Sequence, residues 1–193
     1  VMELWYPGSQ GGAAAANLLF GDANPAGRLP FTWARNAAQE PMFYAHLNSH
    51  APPDADKRYW NESNAPTYPF GFGLSYTSFR YANLHVDHAS VAPGAPVVVS
   101  VDVTNAGARR GDEVAQLYIH QRSGMSARPV RELKGFQRVA LRPGETRTLS
   151  FTLTPDDLRY WSSATRDWVA DESVFDVWAG GSVSVKSALK HTF

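Results

Sequence analysis

The sequence predicts a mainly β chain whose larger part is an antiparallel β-sandwich. Two observations predict this fold: apolar and polar residues alternate along several short runs, and turn-forming residues separate those runs. The stretch 79–193 has the length of one sandwich domain. Ahead of it, the pattern indicates a strand–turn–helix unit of the α/β type and then an irregular segment.

The N-terminal unit reads as a buried strand at residues 1–6, a glycine-rich turn at 7–12 and a short helix at 13–20 that Gly21 ends. One such unit does not form a sheet, because its strand needs neighbours on both sides. We therefore expect a larger domain upstream. An unpaired apolar strand also predicts poor solubility for the chain alone.

Residues 22–78 are predicted to be ordered but irregular, because prolines interrupt every long element in this stretch. Apolar side chains predict that the stretch packs along a larger body. These anchors are Trp33, Phe43, Tyr44, Trp60 and Phe70.

The predicted sandwich strands have a period of two. Turns are expected at residues 105–107 and 142–145, and one helical turn after Pro155. Tryptophans are expected to fill the core or an interdomain face, at positions 161, 168 and 178. The inward-facing residues are predicted to be Val97, Val99, Val101, Val103, Ala115, Leu117, Ile119, Leu149, Phe151, Leu153, Phe175, Val177 and Ala179.

Composition excludes several classes of function. Eighteen basic residues balance eighteen acidic ones, so bulk charge attracts neither nucleic acid nor an anionic membrane. Cysteine is absent from the sequence, which excludes disulfides, thiolate metal sites and cysteine nucleophiles. Apolar runs all fall short of the roughly 20 residues that span a bilayer.

Most short motifs predict no chemistry. The turn at residues 7–12 lacks the Lys-Ser/Thr of a phosphate-binding loop, and no Gly-x-Ser-x-Gly elbow occurs. His46 and His50 are four residues apart, but flanking prolines argue against a shared helical face. We expect no metal and no cofactor.

Residues 54–62 (DADKRYWNE) form the stretch with the clearest binding chemistry. It combines aromatic rings, a guanidinium and carboxylates in a proline-bounded loop. Sugar sites use such groups, since rings stack on apolar sugar faces while Arg and carboxylates bond hydroxyls. An ordinary surface loop is the other interpretation. Glycoside hydrolysis needs a pair of carboxyl groups, and the sequence alone does not identify one.

Several blocks resemble one known family, the family 3 glycoside hydrolases, and they occur in the family's order along nearly the whole chain. The first two resemble the end of the family's second domain, the next its junction with the third, and the rest the third domain. They are WYPGSQGG at 5–12, LFGDANPAGRLP at 19–30, YPFGFGLSYTSF at 68–79, VTNAG at 103–107, GDEVAQLY at 111–118, RPVRELKGF at 128–136 and LRPGET at 141–146.

The resemblance implies a fibronectin type III-like antiparallel β-sandwich, preceded by the last strand–helix unit of an α/β sandwich domain and an irregular linking segment. It divides the chain into 1–35, the end of the α/β domain; 36–78, the linking segment with a substrate-pocket loop; and 79–193, the fibronectin type III-like domain.

The implied activity is retaining hydrolysis of terminal β-linked glucosyl or xylosyl residues, in an enzyme of the bacterial periplasm or exterior. The implied partners are upstream domains, an oligosaccharide or aryl glycoside, and a second copy of the chain. In the family the nucleophile and the acid/base lie upstream, so no catalytic residue is assigned here. The implied substrate-binding residues are Arg58, with Tyr59 and Trp60 as pocket walls.

A non-catalytic role is the competing hypothesis. Residues 79–193 would then be a module for packing, dimerisation or carbohydrate binding. Exposed aromatic side chains on one face of the sandwich would favour binding of a polysaccharide.

Overall fold

Alternating runs become strands in the computed structural model, which describes residues 1–49, 63–92, 94–184 and 189–193. Short 3₁₀ turns occur as well, at Ala37–Gln39 and Pro155–Leu158. The helix and strands are α1 (Gly11–Phe20), β1 (Phe79–Val86), β2 (Val97–Asn105), β3 (Gly111–Gln121), β4 (Glu132–Leu141), β5 (Thr146–Leu153), β6 (Tyr160–Ser162), β7 (Asp167–Val169), β8 (Phe175–Gly180) and β9 (Lys190–Thr192).

The strands form two packed antiparallel sheets and one hairpin. One sheet has the order β1-β2-β5 and the other the order β4-β3-β8-β9, while β6 pairs with β7. The two sheets enclose a hydrophobic core. The predicted sandwich is therefore confirmed, and the helical turn expected after Pro155 is present at Pro155–Leu158.

The core contains the predicted inward-facing residues. Along β2 the valines at 97, 99, 101 and 103 are all fully buried, because successive side chains of a strand point to opposite faces. The corresponding positions of β3, β5 and β8 are buried as well.

Strand β3 departs from simple alternation, since Gln116 and Tyr118 are buried although they point away from the core. The linking segment covers this outer face. Gln116 Nε2 donates hydrogen bonds to the carbonyls of Gly71 at 3.2 Å and Gly181 at 2.8 Å. Tyr118 OH donates to Gln116 Oε1 at 2.5 Å. Both faces of the four-stranded sheet are therefore packed at β3.

The N-terminal unit is formed only in part. Helix α1 ends at Gly21, which has the left-handed conformation expected of a C-terminal cap (φ 83°). Residues 1–6, predicted to be a buried strand, form no strand, and Val1 and Tyr6 are fully exposed. A strand needs a neighbouring strand for its backbone hydrogen bonds, and none of the described strands pairs with this segment.

The N-terminal unit is nevertheless attached to the sandwich. Asn24 accepts hydrogen bonds from Ser75 Oγ and the Tyr76 amide, both at 2.8 Å, and donates one to the Arg110 carbonyl at 3.0 Å. Tyr76 OH donates to the Leu18 carbonyl at 2.6 Å. The α/β end, the junction and the sandwich are thus joined by hydrogen bonds.

Within the described ranges, no helix has both the length and the apolar character needed to cross a membrane.

Candidate functional site

A cleft of about 1270 Å³ lies between the linking segment and the outer face of the four-stranded sheet. One wall comes from residues 36–48 and the other from β3, β8 and the two residues that precede β4.

Stacked aromatic rings hold the linking segment against the sheet. Tyr44 stacks on Phe70 with ring centroids 4.1 Å apart and meets Tyr118 edge-on at 6.2 Å. Tyr44 OH accepts a hydrogen bond from the Leu133 amide at 3.2 Å, and the Val130 amide donates to the His46 carbonyl at 2.9 Å. These contacts fix the spacing of the two walls.

Trp178 forms part of the cleft floor and lies between two cations. The Arg131 guanidinium is 4.5 Å and the Lys190 ammonium 5.3 Å from its ring centroid. Burial lowers the pKa of Arg131. Because both cations lie against its ring, Trp178 is a packed part of the cleft floor rather than an open stacking surface.

Asp176 lies beside Trp178 on β8 and is almost fully buried. Its Oδ1 accepts from Arg122 at 2.6 Å and from Thr192 Oγ1 at 3.0 Å, and its Oδ2 is 2.7 Å from Lys190 Nζ. Burial alone would raise the pKa of Asp176, but these hydrogen bonds outweigh it and hold the pKa below its usual value.

The cleft lacks the chemistry for glycoside cleavage in the part of the chain that the structure describes. Its described carboxylates are Glu40 and Asp176, and the cations around Asp176 keep that carboxylate occupied and ionised. A general acid needs a raised pKa, which is the opposite of the shift at Asp176. No group of three or more metal-ligating side chains occurs among the described residues. The arrangement can position and contact a ligand.

The predicted substrate-binding residues Arg58, Tyr59 and Trp60 lie outside the described residues, and so does His50. The described chain on either side of that stretch lines the cleft, at Asn48 and Asn64.

Sequence reasoning missed Asp176, Trp178 and Arg131 as cleft residues. A signal was present, since an acid and an indole two residues apart on a strand share a face. The tryptophans were predicted to fill the core or an interdomain face. The first alternative is wrong for Trp161 and Trp168, which are 54% and 55% exposed on the β6–β7 hairpin, a pair of strands outside the two packed sheets. The interdomain alternative stays a prediction.

Large apolar side chains are also exposed on the N-terminal unit. Tyr6, Leu19 and Phe20 are largely exposed, and Trp5 meets Phe31 edge-on at 5.7 Å. Several large apolar side chains left exposed on one unit suggest an interaction surface.

Fold and site together define the class of protein: a fibronectin type III-like sandwich joined to the end of an α/β domain, with a ligand-sized cleft at the junction. Residues 1–76 match the model of the glycosyl hydrolase family 3 C-terminal domain, and residues 113–183 match the fibronectin type III-like domain. The chain therefore belongs to glycoside hydrolase family 3 and corresponds to the C-terminal part of its members.

Named relatives cover nearly the whole chain. A periplasmic β-glucosidase of Salmonella typhimurium is 39% identical over 93% of the chain, and a β-xylosidase of Formosa agariphila is 38% identical over 94%. The chain spans about a quarter of the length of these relatives, 24% and 25% respectively.

Solved structures of β-glucosidases have the same fold. One from Erythrobacter marinus superposes with a TM-score of 0.86 at 38% identity, over 98% of this chain and 24% of that one. One from Listeria innocua in complex with glucose gives 0.89 at 31% identity, over 99% and 27%.

Proposed function

We propose that this chain is the C-terminal portion of a retaining β-glycosidase that removes terminal non-reducing β-D-glucosyl or xylosyl residues. The observation that carries the proposal is the match of over nine-tenths of the chain to β-glucosidase and β-xylosidase relatives. In this proposal the nucleophile and the acid/base belong to upstream domains, in line with the lack of a usable carboxylate pair in the described cleft.

The chain's own part is to support the fold and to supply one loop of the substrate pocket. We assign residues 1–35 to the end of the α/β domain, 36–78 to the linking segment and 79–193 to the sandwich. Tyr6, Leu19 and Phe20 would pack against the upstream domains, since large apolar side chains are costly to leave in water.

The pocket loop carries Arg58 as a donor to substrate hydroxyls, with Tyr59 and Trp60 as pocket walls. Support for this role comes from Asn48 and Asn64, the described residues nearest the loop on either side that line the cleft. Depending on the assembly, the loop serves the pocket of its own chain or that of a second copy in a homodimer. A periplasmic or extracellular location is proposed by analogy with the Salmonella relative.

The first test is hydrolysis of 4-nitrophenyl β-glucoside and β-xyloside by this chain alone and by the chain combined with its upstream part. Activity only in the combination supports the proposal. Activity of the chain alone would mean that the catalytic carboxylates lie within these residues, and the proposed division of labour would be wrong.

The second test is Arg58→Ala in the complete enzyme. We expect a several-fold loss of kcat/KM, because a guanidinium that bonds substrate hydroxyls is removed. Arg138→Ala is the matched control, since it removes an exposed cation of β4 that lies outside the cleft lining. An unchanged kcat/KM for Arg58→Ala would end the assignment of that residue.

A further inference from the structure

The β6–β7 hairpin presents two tryptophans to solvent. Trp161 and Trp168 are paired across the strands, and their ring centroids lie 6.0 Å apart with an angle of 76° between the planes. Both side chains are more than half exposed. Two indoles at nearly a right angle form a corner with one ring face as its base and the other as its side.

The hairpin is anchored from behind, so the corner has a fixed position. Tyr160 points to the opposite face from Trp161 and is buried. Its hydroxyl donates to Asp171 Oδ2 at 2.7 Å, and the Arg128 guanidinium lies 4.6 Å from its ring centroid. Because Tyr160 is held in this way, a ligand would meet a preformed surface and would not have to order the hairpin.

The turn that joins the two tryptophan strands carries exposed polar residues. These are Thr165 and Arg166, whereas Asp167 is the first residue of β7 and points to the face opposite Trp168. A corner of aromatic faces with a hydroxyl and a guanidinium in the adjoining turn matches the chemistry of a pyranose. The apolar face of the sugar ring stacks on an indole, while its hydroxyls bond to the polar groups.

The charge around the corner favours a neutral ligand. Arg166 and Asp167 are adjacent and of opposite sign, and Arg159 is paired with Asp156 at 2.5 Å. Local charge is therefore balanced, and it offers no field for an anionic polymer such as nucleic acid. Binding of a neutral glycan here therefore costs little electrostatic free energy.

We propose that the Trp161–Trp168 corner is a binding site for a neutral β-linked glucan chain, separate in sequence from the loop at residues 54–62. The choice of a β-linked glucan rests on the proposed function, whereas the site itself rests on the geometry of the hairpin. Such a site would hold polymeric substrate near the enzyme without touching the bond that is cleaved.

The test is affinity gel electrophoresis of the complete protein in gels with and without a soluble neutral β-glucan. The wild type should be retarded by the glucan, and Trp161→Ala or Trp168→Ala should each weaken binding by about two- to tenfold, the range of one aromatic contact. Phe136→Ala is the matched control, because Phe136 is a 69% exposed aromatic on β4. It should leave the retardation unchanged.

Two further readouts separate the outcomes. Hydrolysis of 4-nitrophenyl β-glucoside and β-xyloside should be equal in all these variants. Failure of the wild type on both substrates would overturn the proposed function, while retardation still reports on the corner. Thermal unfolding should also be unchanged. Three results would each overturn the glucan site. The wild type could fail to be retarded, or the double Trp variant could be retarded like the wild type. A Trp variant could also lose several degrees in its unfolding midpoint, as expected at a buried interdomain face.

Discussion

Arg28 and Glu113 form a buried ion pair that joins the N-terminal unit to the sandwich. Arg28 Nη2 lies 2.5 Å from Glu113 Oε2, and the two side chains are 9% and 3% exposed. Tyr81 OH donates to the other carboxylate oxygen at 2.7 Å. Burial raises the pKa of Glu113, and the charge of Arg28 offsets part of that rise. Gly73 and Gly181 pack closely against this pair. A Cβ atom at Gly73 would overlap the Gly27 carbonyl and the Arg28 side chain, and one at Gly181 would overlap the Glu113 carboxylate.

Removing one partner of this pair should destabilise the chain strongly. In Glu113→Gln the guanidinium of Arg28 stays buried without a counter-charge, and we expect the free energy of unfolding to fall by about 3–5 kcal/mol. Urea denaturation measures the loss. Replacing all three groups together (Arg28→Met, Glu113→Leu and Tyr81→Phe) should cost much less than the single change, because no buried charge is then left without a partner.

The neighbouring pair of Arg138 and Asp112 is the control for burial. These side chains are 67% and 30% exposed and 2.7 Å apart. Arg138→Ala should lower the free energy of unfolding by only about 0–1 kcal/mol. Equal losses for Glu113→Gln and Arg138→Ala would contradict the importance of burial at Arg28.

Acid should destabilise the sandwich through Asp176. Its folded pKa is below the ordinary value of 3.8, so its contribution is fully present above that value and is lost as pH falls through the lower folded pKa. Unfolding free energy should therefore decrease below about pH 4, with a slope of at most about 1.4 kcal/mol per pH unit from this group. Asp176→Asn should remove that part of the slope.

Thr192→Val provides a graded control for the acid effect. It deletes the 3.0 Å hydrogen bond from Thr192 to Asp176 and keeps the contacts with Arg122 and Lys190. A smaller part of the slope should disappear than in Asp176→Asn. An acid slope that both variants leave intact would show that other carboxyl groups cause it.

Local chemistry explains which parts of the fold were predictable. Gly21 ends α1 as expected, because a left-handed residue is the usual way to satisfy the last carbonyls of a helix. The valines of β2 are buried as expected, because the period of two is a property of every strand. Both rules need only neighbouring residues.

Features that depend on distant residues were not predictable. The burial of Tyr118 on the outer face of β3 requires Tyr44 and Phe70 of the linking segment, which alternation along β3 does not contain. Likewise, a tryptophan in a strand is more often buried than exposed, so the position of Trp161 outside the packed sheets gave no local signal. The cleft itself results from such distant contacts.

Gly71 is required for both its conformation and its space. Its φ is +79°, and a Cβ atom would overlap the amide of Gln116. Gly71→Ala should therefore cost more than backbone strain alone, which is about 1 kcal/mol. Gly144→Ala isolates the strain, because Gly144 has a φ of +72° and no atom within 4 Å of the added Cβ. Thermal unfolding should show a clearly larger drop for Gly71→Ala, and equal drops would rule out the steric contribution.

Tyr44 should decide whether the linking segment stays on the sheet. Tyr44→Ala removes the stack on Phe70 and the edge contact with Tyr118, and aromatic contacts contribute about 0.5–1.5 kcal/mol each beyond the area they bury. The linking segment should then detach more often, and limited proteolysis should cut it faster than in the wild type. Phe43→Ala is the matched control, since Phe43 is the adjacent aromatic and is 62% exposed. If both variants are cut at the same rate, the ring stack at Tyr44 does not hold the cleft wall in place, and main-chain contacts such as that between Val130 and His46 must do so.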